Sequence, residues 1–101
     1  PWWDKPAQPC LASRFPYGES ISRERLQRVG QAEAWLIQQG FDQVRVRSQG
    51  LAARGEVPEE RMTDLLQPSL RRELVKTLLS FGFTSVSVDV EGLVSGKLNR
   101  V

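Results

Sequence analysis

At 101 residues, with 40% hydrophobic and 26% charged side chains, the chain has the composition of one globular domain, large enough to bury very roughly two thirds of its unfolded surface. Fourteen Lys and Arg stand against 12 Asp and Glu; a net charge of +2 is too small to argue for nucleic acid, and no apolar run approaches the roughly 20 residues of a membrane span. Histidine is absent, so acid–base or metal chemistry falls to carboxylates, to the single cysteine or to a partner.

Residues 1–20 read as an extended arm, with prolines at 1, 6, 9 and 16. Within it, Pro9, Pro16 and Gly18 break up the run Cys10-Leu11-Ala12-Ser13-Arg14-Phe15-Pro16-Tyr17-Gly18 too often for a helix or a strand. One thiol makes no internal disulfide, and with no secretory signal it fits a reducing, cytoplasmic setting. A thiol pKa of about 8.5 falls beside a cation such as Arg14, which favours the reactive thiolate. Most free cysteines are small buried hydrophobes, and spacing alone favours that reading. The start at Pro1-Trp2-Trp3, without methionine, reads as part of a longer chain.

Residues 21–101 read as the folded domain. Ile21-Ser22 opens a helix, with Ser22 as N-cap and Ile21 packing on Leu26 as a hydrophobic staple, and Gly40 caps its end. Gln43 to Ser48 alternates apolar and polar, Gln49-Gly50 turns the chain, and Leu51 to Val57 returns, forming a hairpin. After Pro58 comes a short acidic helix to Leu66. Pro68-Ser69 starts a second long helix running to Phe81, Gly82 closes it, and Ser85 to Val90 is a third strand.

Two halves of this pattern repeat. Gly40-Phe41, Val44, Val46 and Gly50-Leu51 align with Gly82-Phe83, Val86, Val88 and Gly92-Leu93 at one constant offset of 42 residues. The expected fold is therefore α+β: a small antiparallel or mixed sheet of about three strands, helices on one face, and a pseudo-twofold helix–strand repeat.

The copies differ at informative positions. Glu33 interrupts the apolar stripe Leu26, Val29, Leu36 and Ile37, where the second copy has Val75. A carboxylate aimed at the core needs a cation, a metal or a proton, unless the helix end is shallow and Glu33 reaches solvent; if it is a functional compromise then Glu33→Val stabilises the fold. On the hairpin, Val44 and Val46 face the helices, so Arg45, Arg47 and Arg54 share the opposite face. A Gln49-Gly50 turn puts Arg47 opposite Ala52, Arg45 opposite Arg54 and Gln43 opposite Glu56. The second copy has Ser87 and Asp89 in place of Arg45 and Arg47, so the fold does not require the arginines. Two readings follow: a surface network neutralised by Glu56, Asp89 and Glu91, or a forked grip for phosphate or carboxylate.

No phosphate-cradling glycine loop, Cys-x-x-Cys pair or Ser/His/Asp set occurs, so these residues alone offer no ATP site. Residues 95–99 are a weak anion-nest candidate, and Trp2, Trp3 and Trp35 read as cover for the core or the arm.

Lys5-Pro6-Ala7, the Cys10 to Gly18 run, Gly40-Phe41 with Val44-Arg45-Val46-Arg47, and Asp89-Val90-Glu91-Gly92 with Ser95-Gly96 and Asn99 together resemble one family. That family is the ATP-dependent sacrificial sulfur transferases of nickel-pincer cofactor biosynthesis, a branch of the PP-loop ATP pyrophosphatases. The resemblance implies an N-terminal PP-loop domain, absent from these residues, that binds ATP and Mg and adenylates a carboxylate of a pyridinium dicarboxylate mononucleotide. It implies that Cys10 donates sulfur and that Ser13 and Arg14 are further substrate contacts. Arg45 and Arg47 correspond to the pair that holds the substrate phosphate, with Arg54 beside them. Glu33 and Glu56 correspond to acidic positions associated with a divalent metal and the sulfur-transfer site, with Asp64 in the same region. Gln49 and Lys97 depart from the family's usual His and Ser, and a single cysteine argues against the relatives that hold an iron–sulfur cluster. A homo-oligomer of the full-length form, no membrane and no nucleic acid complete the expectation. Two alternatives stand beside it: a non-catalytic phosphate or RNA-binding module, and part of a PP-loop tRNA-thiolation enzyme.

Overall fold

The computed structural model of the chain describes Arg14 and residues 22–93. Cys10, Ser13, the rest of the arm, the Ile21 staple and residues 95–99 lie outside the described residues. The elements run α1 (Arg23–Gln38), β1 (Arg45–Gln49), β2 (Ala52–Glu56), a 3-10 turn (Glu59–Arg61), the one-turn helix α2 (Met62–Leu65), α3 (Pro68–Ser80) and β3 (Ser85–Val88). This is the small α+β fold expected, with a three-stranded mixed sheet in the order β1-β2-β3.

Each helix starts and stops for a local reason. The Ser22 Oγ accepts a 3.2 Å bond from the Arg25 amide, satisfying one of the orphan donors at the start of α1. Pro68 occupies the first turn of α3, where its missing N–H costs nothing. Both helices end on the same cap. Gly40 donates to the Ile37 carbonyl and Phe41 to that of Leu36; 42 residues later Gly82 donates to Leu79 and Phe83 to Leu78. This is the Schellman pattern, and it needs the left-handed backbone at Gly40 (φ +102°) and Gly82 (φ +113°) that glycine adopts without strain. The repeated Gly-Phe pair thus ends a helix and drops an aromatic ring back onto its last buried turn.

One cluster forms the core. Leu26, Val29, Ala32 and Leu36 of α1 and Leu74 and Leu78 of α3 meet Val46 and Ala53 of the sheet, with Phe41, Val44, Val57, Leu65 and Phe83 closing the ends. Both long helices therefore cover the same face of the sheet. Ile37, expected in the α1 stripe, is instead 52% exposed, because it lies about 100° of helix rotation beyond Leu36.

The hairpin register differs from expectation. Gln49 pairs with Ala52, Arg47 with Arg54 and Arg45 with Glu56, so the loop is Gly50-Leu51 rather than Gln49-Gly50. Gly50 carries the positive φ of +58° at the first loop position, where a type II′ turn requires glycine. The change moves every pairing by two residues, which keeps each side chain on its expected face. The loop is held from α1 as well: the Gly50 carbonyl accepts from the Arg25 guanidinium at 3.1 Å and from the Ser48 hydroxyl at 3.2 Å. β2 pairs with β3 in parallel, Ala52 with Ser85 through Gly55 with Val88.

Candidate functional site: the arginine face and the outer edge of β1

β1 is an edge strand, and its outward amides are occupied. The Val46 amide donates to the Glu33 Oε2 at 2.8 Å, and the Ser48 amide to the Arg14 carbonyl at 2.8 Å. Glu33 reaches that edge from the middle of α1, and its carboxylate is held in a fork by Arg14, Nε to Oε2 at 2.8 Å and Nη2 to Oε1 at 3.2 Å. Both side chains are buried, 6% and 12% exposed. The cation that Glu33 needs is therefore Arg14. Sequence reasoning singled out both residues and did not join them, since 19 positions and a proline-broken arm separate them.

This geometry reverses the expectation that valine at 33 would stabilise the fold. Val75, its counterpart on α3, is itself 37% exposed and not a core residue. Glu33→Val would orphan a buried guanidinium and a strand amide.

The sheet face away from the helices carries the charges. Glu56 is fully buried there, with the Arg47 Nε at 3.3 Å and the Arg54 Nη2 at 3.7 Å; the Arg54 Nε lies 3.5 Å from Asp89 Oδ2. These ion pairs are longer than the Arg14–Glu33 fork. Asp89 arrives with β3, its amide donating to the Gly55 carbonyl at 2.9 Å, and its Oδ1 accepts from the Glu91 amide at 2.9 Å. Arg47 and Arg54 thus share two carboxylates, and the third arginine of the face, Arg45, is exposed with no ion pair among the described residues. The neutralising network is real for Arg47 and Arg54, and the excess positive charge sits at Arg45. Arg47 paired opposite Arg54 is tolerated because Glu56 lies between their guanidiniums.

Glu33 and Glu56 each face guanidinium groups, and no group of three or more His, Cys, Asp or Glu suited to a metal exists among the described residues. Asp64 joins another network. It pairs at 3.0 Å with Arg61, whose guanidinium also donates to the Gly40 carbonyl at 3.1 Å and stacks 4.5 Å from the centre of the Phe41 ring. Arg28 sits likewise over Phe83, 5.8 Å from its centre. Each Gly-Phe corner thus carries an arginine, a pairing that the repeat in sequence did not reveal because the two arginines are not themselves repeated.

The fold and these contacts define an α+β domain with an arginine-rich sheet face and with Arg14 tied to the edge of β1. The chain is similar to a pyridinium-3,5-bisthiocarboxylic acid mononucleotide synthase of Lactiplantibacillus plantarum, 39% identical over 97 residues that cover 96% of this chain and 34% of that protein. It is also similar to an uncharacterized protein of Synechocystis sp., 58% identical over 101 residues, all of this chain and 38% of that protein. The chain is thus related to the synthase family, and it spans about a third of the length of the relatives it matches. No family model matches the chain. Among the described residues no helix is long and apolar enough to cross a membrane.

Proposed function

We propose that this chain is the sulfur-donating and phosphate-holding part of an ATP-dependent sulfur transferase, which converts a carboxylate of a pyridinium dicarboxylate mononucleotide into a thiocarboxylate. One observation carries the reading. Arg14, in the arm that contains Cys10, is fastened by its carbonyl and its guanidinium to the edge of β1, the strand that carries Arg45 and Arg47. Three residues separate Cys10 from that anchor, four Cα steps that span at most about 14 Å. The relationship to the bisthiocarboxylic acid mononucleotide synthase supports the substrate class.

In this reading Arg45 offers its exposed guanidinium to the substrate phosphate, and Arg47 is aimed by Glu56. Ser13 is a further substrate contact in this reading, and Arg14, its guanidinium buried against Glu33, serves as the anchor of that stretch. The Cys10 thiolate attacks the acyl carbon of the adenylated carboxylate, and AMP leaves. A base then removes the Cys10 α-proton, the Cβ–S bond breaks, and its electron pair departs with sulfur. Thiocarboxylate remains on the product and dehydroalanine in the protein. ATP and Mg belong to a PP-loop portion of the full-length enzyme, since these residues contain no phosphate-cradling loop. No step is assigned to a metal at Glu33 or Glu56, whose carboxylates hold arginines. The cytoplasm is the compartment such a thiol requires.

The deciding experiment is the intact mass of the full-length chain before and after one turnover with ATP and the pyridinium substrate, with Cys10→Ala alongside. Loss of the elements of hydrogen sulfide at Cys10, absent from the variant, is expected. Product formed with no change in mass would mean that sulfur comes from elsewhere.

A further inference from the structure

The arginines of the sheet face are held in different ways. Arg47 is mostly buried, 14% exposed, with its Nε 3.3 Å from Glu56. Arg54 stands directly opposite it on β2 and is 44% exposed. Its two ion pairs are long, Nη2 to Glu56 at 3.7 Å and Nε to Asp89 at 3.5 Å, beyond the roughly 2.7 to 3.2 Å of an N–H to oxygen hydrogen bond. Both carboxylates lie toward one edge of the guanidinium, the edge formed by Nε and Nη2, which leaves the Nη1 end for a further acceptor. Asp89 is itself fixed, its amide donating to the Gly55 carbonyl and its Oδ1 accepting from the Glu91 amide at 2.9 Å, so it aims Arg54 without following it.

We propose, resting on the function proposed above, that Arg54 reads a ring carboxylate of the mononucleotide, the one that is not being adenylated, while Arg45 and Arg47 hold the phosphate. Arg54 is diagonal to Arg45 across the β1–β2 ladder, about 7 to 8 Å away at Cα. A phosphate seated at Arg45 thus has a second cation on the same face at the scale of one ribose, and a ribose is what separates a mononucleotide's phosphate from its ring. The planar guanidinium, with paired N–H donors, suits a planar carboxylate. Where this chain uses such a fork for structure, between Arg14 and Glu33, it closes at 2.8 and 3.2 Å. Around Arg54 the protein's own carboxylates stop short of that fit. A ring that bears two acids therefore gives one to adenylation and the other to Arg54. A neutral carboxamide in its place offers one acceptor oxygen and turns an NH2 group toward the cation.

The test is titration calorimetry on the full-length chain with two mononucleotides that differ in one group, pyridinium-3-carboxylate mononucleotide and its 3-carboxamide. The wild type is expected to bind the acid about ten- to a hundredfold more tightly than the amide, the worth of one charge-assisted contact. Arg54→Gln is expected to erase that preference by weakening the acid far more than the amide. Arg45→Ala is expected to weaken both alike, since both carry the phosphate. Arg54→Lys keeps the charge that Glu56 and Asp89 face and gives up the fork; it serves if the glutamine variant folds poorly, and is expected to keep only part of the preference. A wild type that does not distinguish acid from amide, an equal loss for both in Arg54→Gln, or a preference left intact in the Arg54 variants would each overturn the assignment while sparing the phosphate grip. Binding of neither mononucleotide by the wild type would overturn the grip and the assignment together.

Discussion

The Glu33 carboxylate and the Arg14 guanidinium, 19 positions apart, close a buried fork at 2.8 and 3.2 Å, and the same carboxylate takes the Val46 amide at 2.8 Å. One side chain therefore binds helix, strand and arm together. Removing either member leaves a buried charge without its counterion, so Arg14→Ala and Glu33→Val are each expected to destabilise the domain by about 3 to 5 kcal/mol. Chemical denaturation of both single variants and the double variant checks this. The double should cost clearly less than the sum, and additive losses would show that the two residues act separately.

Glu56 is the hub of the charged face, fully buried between Arg47 and Arg54. Glu56→Gln removes the carboxylate that lies between Arg47 and Arg54 and is expected to lower the melting temperature. Inorganic phosphate should restore part of the loss and should stabilise the variant more than the wild type, because an added anion takes the place of the missing carboxylate. Equal phosphate effects on both proteins would count against an anion seat there.

Arg45→Ala and Arg47→Ala are each expected to weaken binding of the pyridinium mononucleotide by about 1.5 to 3 kcal/mol, the size of a charge-assisted hydrogen bond. Titration calorimetry on the full-length chain measures it. Arg47→Ala should also reduce stability, since its guanidinium is mostly buried against Glu56, whereas Arg45→Ala should not.

Three glycines with positive φ should respond differently to alanine. A Cβ at Gly40 meets nothing within 4 Å, so the variant bears backbone strain alone, about 1 kcal/mol. At Gly92 the same Cβ would sit 2.9 Å from the Val57 carbonyl oxygen and 3.2 Å from the Glu59 amide, both backbone atoms. At Gly82 it meets only the flexible end of Arg28. Thermal melts are expected to rank the losses Gly92 above Gly82 and Gly40, and a Gly92→Ala as mild as Gly40→Ala would contradict the close approach.

Local signals carried most of the fold into the sequence. The Ser22 cap, the two Gly-Phe corners and the valine alternation are each set by neighbours a few residues apart, so periodicity and turn chemistry find them. The hairpin register was missed by two residues because only the φ of Gly50 decides which loop position it takes. Glu33 stood out as a carboxylate in an apolar stripe, and the arginine face as three guanidiniums on alternating positions. The carboxylates that neutralise that face, Glu56 and Asp89, were legible too; the partner of Glu33 was not, because Arg14 comes from an arm with no period.

The parallel pairing of β2 with β3 sets an order on assembly. Gln49 and Ala52 close the hairpin across three positions, whereas Ala52 meets Ser85 only after 33 positions of chain, 85 less 52, have folded back. Closing the longer loop costs more entropy before it returns any contact, so the hairpin and α1 are expected to nucleate and β3 to dock late. Arg54 meets Asp89 in that last step, and the charged face is complete only once the whole chain has folded. Truncating Val86 should therefore speed unfolding while leaving the folding rate nearly unchanged.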